Sequence, residues 1–356
     1  AAAGMGTSAF FSDREAFDGN SLTAGELDLK VDWEEHYSDW SEDESAGLEF
    51  DPGMDLSDVP TTDPGNLLLD PTDPDNWMAF PPGGDLLYVF ALDVPQFMEN
   101  TAVDAHPDAD GDGVQDTIKT RQQIRTDNPG LPEEVIEQVY RAQFADIPDD
   151  LQGRPPLIDL SDVKPGDFGE VTFSVHLFNN PGYLWFTGGL VEAEENGHTE
   201  PEAKDGDEVG LPGEVSTNVN TAQVELLDEI QVTLWHDDGN NVLTDPEVVI
   251  HRKPLGGPDA EENIELSSDQ AMITRGTLRE FLVELSTDNG IPLDSDPTTA
   301  DRDCFPNSTT RFLGFSWELP VDHANEIQSD SVTFDLGFYT EQCRHNDGAG
   351  QPPEGP

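Results

Sequence analysis

The sequence predicts an all-β fold, an antiparallel sandwich of jelly-roll type with turn-rich insertions and a few short helices. Three observations carry that expectation. Apolar residues alternate with polar ones in short runs at 25–33, 86–92, 171–177, 183–186, 230–234, 247–250, 312–319 and 332–338, the period-two pattern of half-buried strands. The links between these runs are dense in turn formers, with 32 Gly and 28 Pro in 356 residues. Alternation of strands with helical segments, the signature of a parallel sheet, is nearly absent, so the strands are expected to pair antiparallel. A chain of this length holds one large β-domain with insertions or two modest domains, and the spread of strands favours the first, over 13–345.

The elements follow in chain order. Ala1, Ala2, Ala3, Gly4, Met5, Gly6, Thr7, Ser8, Ala9 and Phe10 form an uncharged leader of mostly small residues, within a first segment that ends at position 12. Extended, the leader sets Ala3, Met5, Thr7 and Ala9 on one face and Ala2, Gly4, Gly6, Ser8 and Phe10 on the other. Small side chains permit close backbone approach, while Met5 and Phe10 or Phe11 fix the register. The segment reads as a detachable strand given to a neighbouring copy. Pairing within its own domain, or no fixed structure, are the alternatives. No Met opens the sequence and no apolar run of eighteen residues follows, so the numbering is expected to begin at a processed end of an exported chain without a membrane span.

Leu27, Leu29, Val31 and Trp33 then alternate as the first strand. Residues 51–84 hold successive turns in DPG, TTDPG and DPTDPDN. The interval 95–156 reads as an insertion with a helix at 131–144, acidic in its first turn and striped by Val135, Val139 and Phe144. In EVTFSVHLF, Val171, Phe173, Val175 and Leu177 share one face, with Thr172, Ser174 and His176 on the other. Residues 226–229 and 278–285 are short helical candidates, and 346–356 is a frayed tail.

Charge bounds the function. Against 16 Lys+Arg stand 75 Asp+Glu, a formal net charge of −59 dispersed along the whole chain. At low ionic strength such a surface repels itself; in molar salt the Debye length falls to about 3 Å and the repulsion is screened. The composition therefore predicts adaptation to high salt. Nucleic acid and anionic membranes are excluded as partners because both need clustered Lys and Arg. Cys304 and Cys343 are expected to pair in an oxidising compartment, where closing that loop contributes about 4 kcal/mol in the chain-entropy model; two buried free thiols are the alternative.

PDADGDGVQD is the sharpest local motif. Asp108, Asp110 and Asp112 alternate, Gly113 allows a sharp turn, Val114 offers a carbonyl and Asp116 closes the loop, a spacing suited to Ca²⁺. Position 119, where a sensor EF-hand places a bidentate Glu, is Lys119, so the loop resembles the DxDxDGxxD type of extracellular repeats. A second candidate comprises Asp237, Asp238, Asn240 and Asp245, which a plain Asp-Gly-Asn turn explains equally well. Asn307-Ser308-Thr309 is an acceptor sequence for N-linked glycan. No catalytic residue is assigned and the chain is expected not to be an enzyme. H-E-x-x-H, G-x-S-x-G, P-loop and G-x-G-x-x-G motifs are all missing from the sequence, and the eight histidines are scattered. Trp33, Trp40 and Trp77 are suited to stacking on sugars, but packing accounts for them as well.

FFSDREAFDGNSLTAGELDLKVDW resembles the opening of the mature chain in the TasA/camelysin family, carried by Phe11, Ser12, Asp13, Glu15, Gly19, Asn20, Thr23, Ala24, Gly25, Leu27, Asp28 and Leu29. DVKPGDFGEVTFSVHLFNNPGYLWF is similar to the family's KPGD turn before a strand, at Lys164, Pro165, Gly166 and Asp167. LVEAEENGHTEPEAKDGDE and LPVDHANEIQSDSVTFDLGFYTEQCRHND look like versions from halophilic archaea. The resemblance implies an exported jelly-roll subunit that polymerises into extracellular fibres or bundling pili of biofilm. In it, the mature N-terminus enters the next subunit by donor-strand complementation. Identical subunits then join head to tail in an open homopolymer, and neighbouring filaments or cell-surface components are further partners. A non-polymerising surface or matrix adhesin with the same sandwich is the rival reading. A proteolytic role, suggested by the camelysin branch, lacks a zincin motif here.

Overall fold

EVTFSVHLF does form a strand, and it lies at the centre of the architecture. The computed structural model describes residues 27–38, 48–50, 77–80, 87–91, 99–144, 157–160, 162–197, 211–237, 272–287, 290–296, 299, 302–320, 327–344, 346 and 348, with backbone alone for 48–50, 77–80 and 87–91. The strands are β1 (Asp28–Ser38), β2 (Leu48–Phe50), β3 (Trp77–Phe80), β4 (Leu87–Ala91), β5 (Ala102–His106), β6 (Phe168–Phe178), β7 (Gly182–Glu195), β8 (Glu214–Ser216), β9 (Gln231–Asp237), β10 (Met272–Thr277), β11 (Ile291–Leu293), β12 (Thr310–Glu318) and β13 (Ser331–Gln342). The helices are α1 (Arg121–Asp127), α2 (Glu133–Ala142), α3 (Leu226–Glu229) and α4 (Leu278–Leu285).

Every strand pairing among the described residues is antiparallel. A six-stranded sheet runs β10-β9-β12-β6-β1-β5; a second sheet runs β11-β7-β13, with β8 on β7; β2, β4 and β3 make a small third sheet. The first two sheets face each other across one core. Val171, Phe173, Val175 and Leu177 of β6 supply it from one side, with Leu184 and Phe186 of β7 from the other, all buried. Ring contacts bridge the layers, Phe173–Phe186 at 5.7 Å and Phe173–Phe338 at 5.4 Å between centroids. The side-chain alternation of EVTFSVHLF is therefore real, but His176, Ser174 and Glu170 on the opposite face are buried too. Both faces of β6 are covered.

Helix α4 closes one end of the core. Thr277 caps it, accepting from Glu280 N while the Glu280 side chain accepts from Thr277 N, which satisfies two of the orphan amides at its start. Its apolar face follows the helical period through Leu278, Phe281, Leu282 and Leu285, all buried. Phe281 meets Phe315 of β12 at 5.4 Å and Phe186 of β7 at 6.1 Å.

The interval expected as an insertion does more than carry one helix. It contributes β5, whose residues pair with Trp33, Glu34, Glu35 and His36 of β1. It also forms two helices, α1 with a capping box from Thr120 and Gln123, and α2 beginning two residues after Leu131. Ile124, Ile136, Tyr140, Phe144 and Phe178 pack together, so the helical pair docks on the end of β6. Glycine matters at one close approach: a Cβ on Gly314 of β12 would collide with the Trp235 ring lying over it.

Candidate functional site

One side of the sandwich is not closed. In the second sheet β13 is an edge strand that pairs with β7 alone among the described residues. In the first sheet β5 covers β1 only over Trp33–His36, so among the described residues the N-terminal half of β1 has a neighbour strand on one side alone, β6. Side chains reflect this. Leu27, Leu29 and Val31 at β1, and Val332, Phe334, Leu336 and Phe338 on β13, pack against the core yet remain only partly buried. The alternate residues Ser331, Thr333 and Asp335 are exposed. Partly buried apolar rows thus lie along two strands that each have an edge with no partner strand among the described residues.

The acidic loop lies between β5 and α1. The Asp108 carboxylate accepts from Gly111 N at 2.7 Å and Gly113 N at 3.1 Å, Asp112 accepts from Val114 N at 3.0 Å, and Asp116 accepts from Ala109 N at 2.8 Å. Gly111 and Gly113 adopt left-handed φ of 76° and 84°, a conformation glycine takes without strain. Together these fold the loop into a cup. Asp108, Asp110 and Asp112 each present an oxygen within 4.8 Å of the others. Asp116 instead closes the loop through the backbone. The charge of Asp112 raises the Asp110 carboxyl above its ordinary value, while the Gly113 amide holds Asp108 below its own. Mutual repulsion of this kind is what a bound cation relieves.

Gln115 ties the cup to β1. Its Nε2 donates to Asp32 Oδ1 at 2.9 Å, to the His106 carbonyl at 2.7 Å and to the Trp33 carbonyl at 3.3 Å, and its backbone N donates to Glu34 at 3.3 Å. Asp32 in turn meets His176 Nε2 at 2.7 Å. With that nitrogen donating, His176 Nδ1 accepts from Tyr140 or Thr310, at 3.2 Å and 3.0 Å. A buried polar chain thus runs from the loop through β1 and β6 to α2. Burial raises the Tyr140 hydroxyl above its ordinary value. Burial also works to raise Glu137, but bonds from Arg121 and Arg141 outweigh it and hold that carboxyl low.

The remaining sequence-derived sites divide. Cys304 and Cys343 form a disulfide, closing 39 residues of sequence. Asn307 is exposed in the turn before β12. The leader at 1–12 lies outside the described residues. So do Asp238, Asn240 and Asp245; of the second cation candidate only Asp237, buried at the end of β9, is described. Trp33 is buried and donates to Asp104 at 2.7 Å, a packing role. Trp40 and the side chain of Trp77 are outside the described residues.

Sequence reasoning missed two carboxyl groupings built around buried glutamates. Glu195 at the end of β7, Glu225 before α3 and Asp330 before β13 bring oxygens within 4.8 Å of one another. Burial, with Glu195 alongside, pushes the Asp330 carboxyl up to about 8. Glu35 on β1 is raised to about 8 by burial, with Asp104 opposite adding to it. Both arise from strand pairings distant in sequence, and no local pattern announces them.

No family model matches the chain, and no curated protein is similar to it in sequence.

Proposed function

We propose that this chain is the structural subunit of an extracellular filament, a jelly-roll-type sandwich short of one strand that polymerises by donor-strand complementation. The single observation that supports the reading most is the unclosed side between β1 and β13, with seven half-buried apolar side chains at its rim. The occupant is the leader of a neighbouring copy. In a chain of −59, Ala1 to Ser12 is a run without a charged side chain, and an acidic segment would be repelled by the surface around the groove. Seating that run would satisfy the edge of β13 that has no partner strand among the described residues and cover the apolar rows in one step. Giver and receiver surfaces differ, so each added subunit exposes a fresh groove and the assembly grows as an open polymer.

Calcium and high salt belong to the same proposal. Ca²⁺ held by Asp108, Asp110, Asp112 and the Val114 carbonyl, in the loop that Asp116 closes, would relieve the loop's repulsion, and molar salt would screen subunit against subunit. The TasA/camelysin resemblance and the disulfide both accord with a chain made for the outside of a cell.

Deleting residues 1–9 tests the reading. Negative-stain images of the full chain should show uniform filaments and those of the truncated chain single particles. Normal filaments from the truncated chain would rule the donor role out. Dialysis of filaments into low salt with a chelator should loosen or dissolve them, and intact fibres there would remove the electrostatic part.

A further inference from the structure

We infer that Asn307 carries an N-linked saccharide. The inference rests on the extracellular part of the reading above, since the modifying machinery acts on exported chains. Asn307-Ser308-Thr309 is the only Asn-x-Ser/Thr triplet in the 356 residues. The structure places it where attachment costs no packing. It occupies the turn between Phe305, which bridges to Gly182, and the start of β12 at Thr310. Pro306 and Asn307 are exposed, and no charged residue lies between Cys304 and Thr310.

The backbone beneath is held from three sides. Ser308 N donates to the Leu177 carbonyl at 2.6 Å, Arg121 donates to the Ser308 carbonyl, and the Ser308 hydroxyl donates to Glu137 at 3.4 Å. Ser308 takes a left-handed φ of 65°, which turns the chain sharply after Asn307. The carboxamide itself makes only a long bond, Nδ2 to the Asn179 carbonyl at 3.4 Å. The turn is fixed while the reacting nitrogen is nearly unencumbered, so a glycan there displaces one weak hydrogen bond.

In the step, Nδ2 attacks the anomeric carbon of a lipid-linked saccharide. A C–N bond forms, the bond from that carbon to the lipid phosphate oxygen breaks, the lipid phosphate leaves with the electron pair, and Nδ2 gives one proton to a base of the transferase. The product stands at the end of the sandwich where β1 begins, because Asn179 follows Phe178, the partner of Asp28. A hydrated chain at that end would border the entry to the groove.

Protein recovered from the cells that make it is reduced and cut with trypsin, which releases residues 303–311 between Arg302 and Arg311. The expected result is a mass increase by whole sugar residues on that peptide, localised to the asparagine by fragmentation. It should be lost in N307Q and T309A and kept in T309S. A peptide found only at its unmodified mass overturns the inference, in whichever cell fraction the chain occurs. A glycosylated surface protein that forms no filaments would uphold the modification and reject polymerisation, and unmodified filaments would do the reverse.

Discussion

Leu336→Ala probes the groove proposed to receive the donor strand. Leu336 lies in the apolar row of β13, partly buried in the single subunit. Truncation to Ala removes the equivalent of about three methylenes, worth roughly 2.4 kcal/mol if fully buried. About two-thirds or more of that contact is already made within the subunit, which leaves at most about 0.8 kcal/mol to be gained from an incoming strand. Since 1.4 kcal/mol is about tenfold in an equilibrium constant, the critical concentration for polymerisation should rise by up to about fourfold. Subunit stability should fall by about 1.6 kcal/mol, well short of unfolding. Thr333→Ala, on the exposed row of the same strand, is the control and should leave polymerisation unchanged. The critical concentration is read by sedimentation at fixed molar salt, with urea midpoints reporting subunit stability. If Leu336→Ala polymerises like the parent while Thr333→Ala is impaired, the apolar row does not face the partner and the assignment of the groove fails.

Three further expectations follow from other features. Replacing Cys304 and Cys343 by Ser should cost about 4 kcal/mol, from the loop-closure entropy of 39 residues; an unchanged urea midpoint in the absence of reductant would contradict this. Gln115→Ala removes three side-chain hydrogen bonds that hold the acidic loop to β1, and should speed amide exchange across 108–116 by about tenfold, or roughly 1–2 kcal/mol of local stability. Chelation should act on the same amides without affecting β6 or β7. Glu35 and Asp330 are both raised to about 8 by burial, so the folded state holds protons that the unfolded chain releases near pH 4. Stability from these groups is fully present below that value and is lost as pH rises through about 8. Urea midpoints at constant salt should decline between pH 5 and 9, and Glu35→Gln with Asp330→Asn should flatten the curve. A parent curve that rises over this range would refute the linkage.

The central strands were legible where alternation is strict: EVTFSVHLF and the run to Glu318 formed β6 and β12 within about three residues of the expected bounds, whereas YLWF marked only the start of β7, which continues to Glu195. Legibility failed where polar residues are buried. Ala102–His106 has no apolar row, and it became β5 because Trp33 stacks on His106 and donates to Asp104. Arg121–Asp127 shows one buried apolar residue, Ile124, so its helix is set by the Thr120–Gln123 cap and by docking against α2 rather than by a stripe. Met272–Thr277 pairs with β9 despite Arg275 and Gly276, which interrupt any alternation. The turns of the acidic loop follow from local spacing because its carboxylate-to-amide hydrogen bonds span at most seven residues. Gln115 was not, since Asp32 lies 83 residues away. Short-range rules see turns and caps; they do not see which face of a strand a distant helix will cover.

The position of the disulfide has a mechanical consequence. β13 runs from Ser331, where its outward residues are exposed, to Gln342, directly before Cys343. A load applied along β13 can peel it from β7 starting at the Ser331 end, one ladder bond at a time. At the other end the strand is covalently moored to Cys304, and Cys343 N also donates to the Pro181 carbonyl at 3.1 Å. Rupture from that end would require breaking a covalent bond, so the direction of pull, and not only its size, sets how much force the strand withstands.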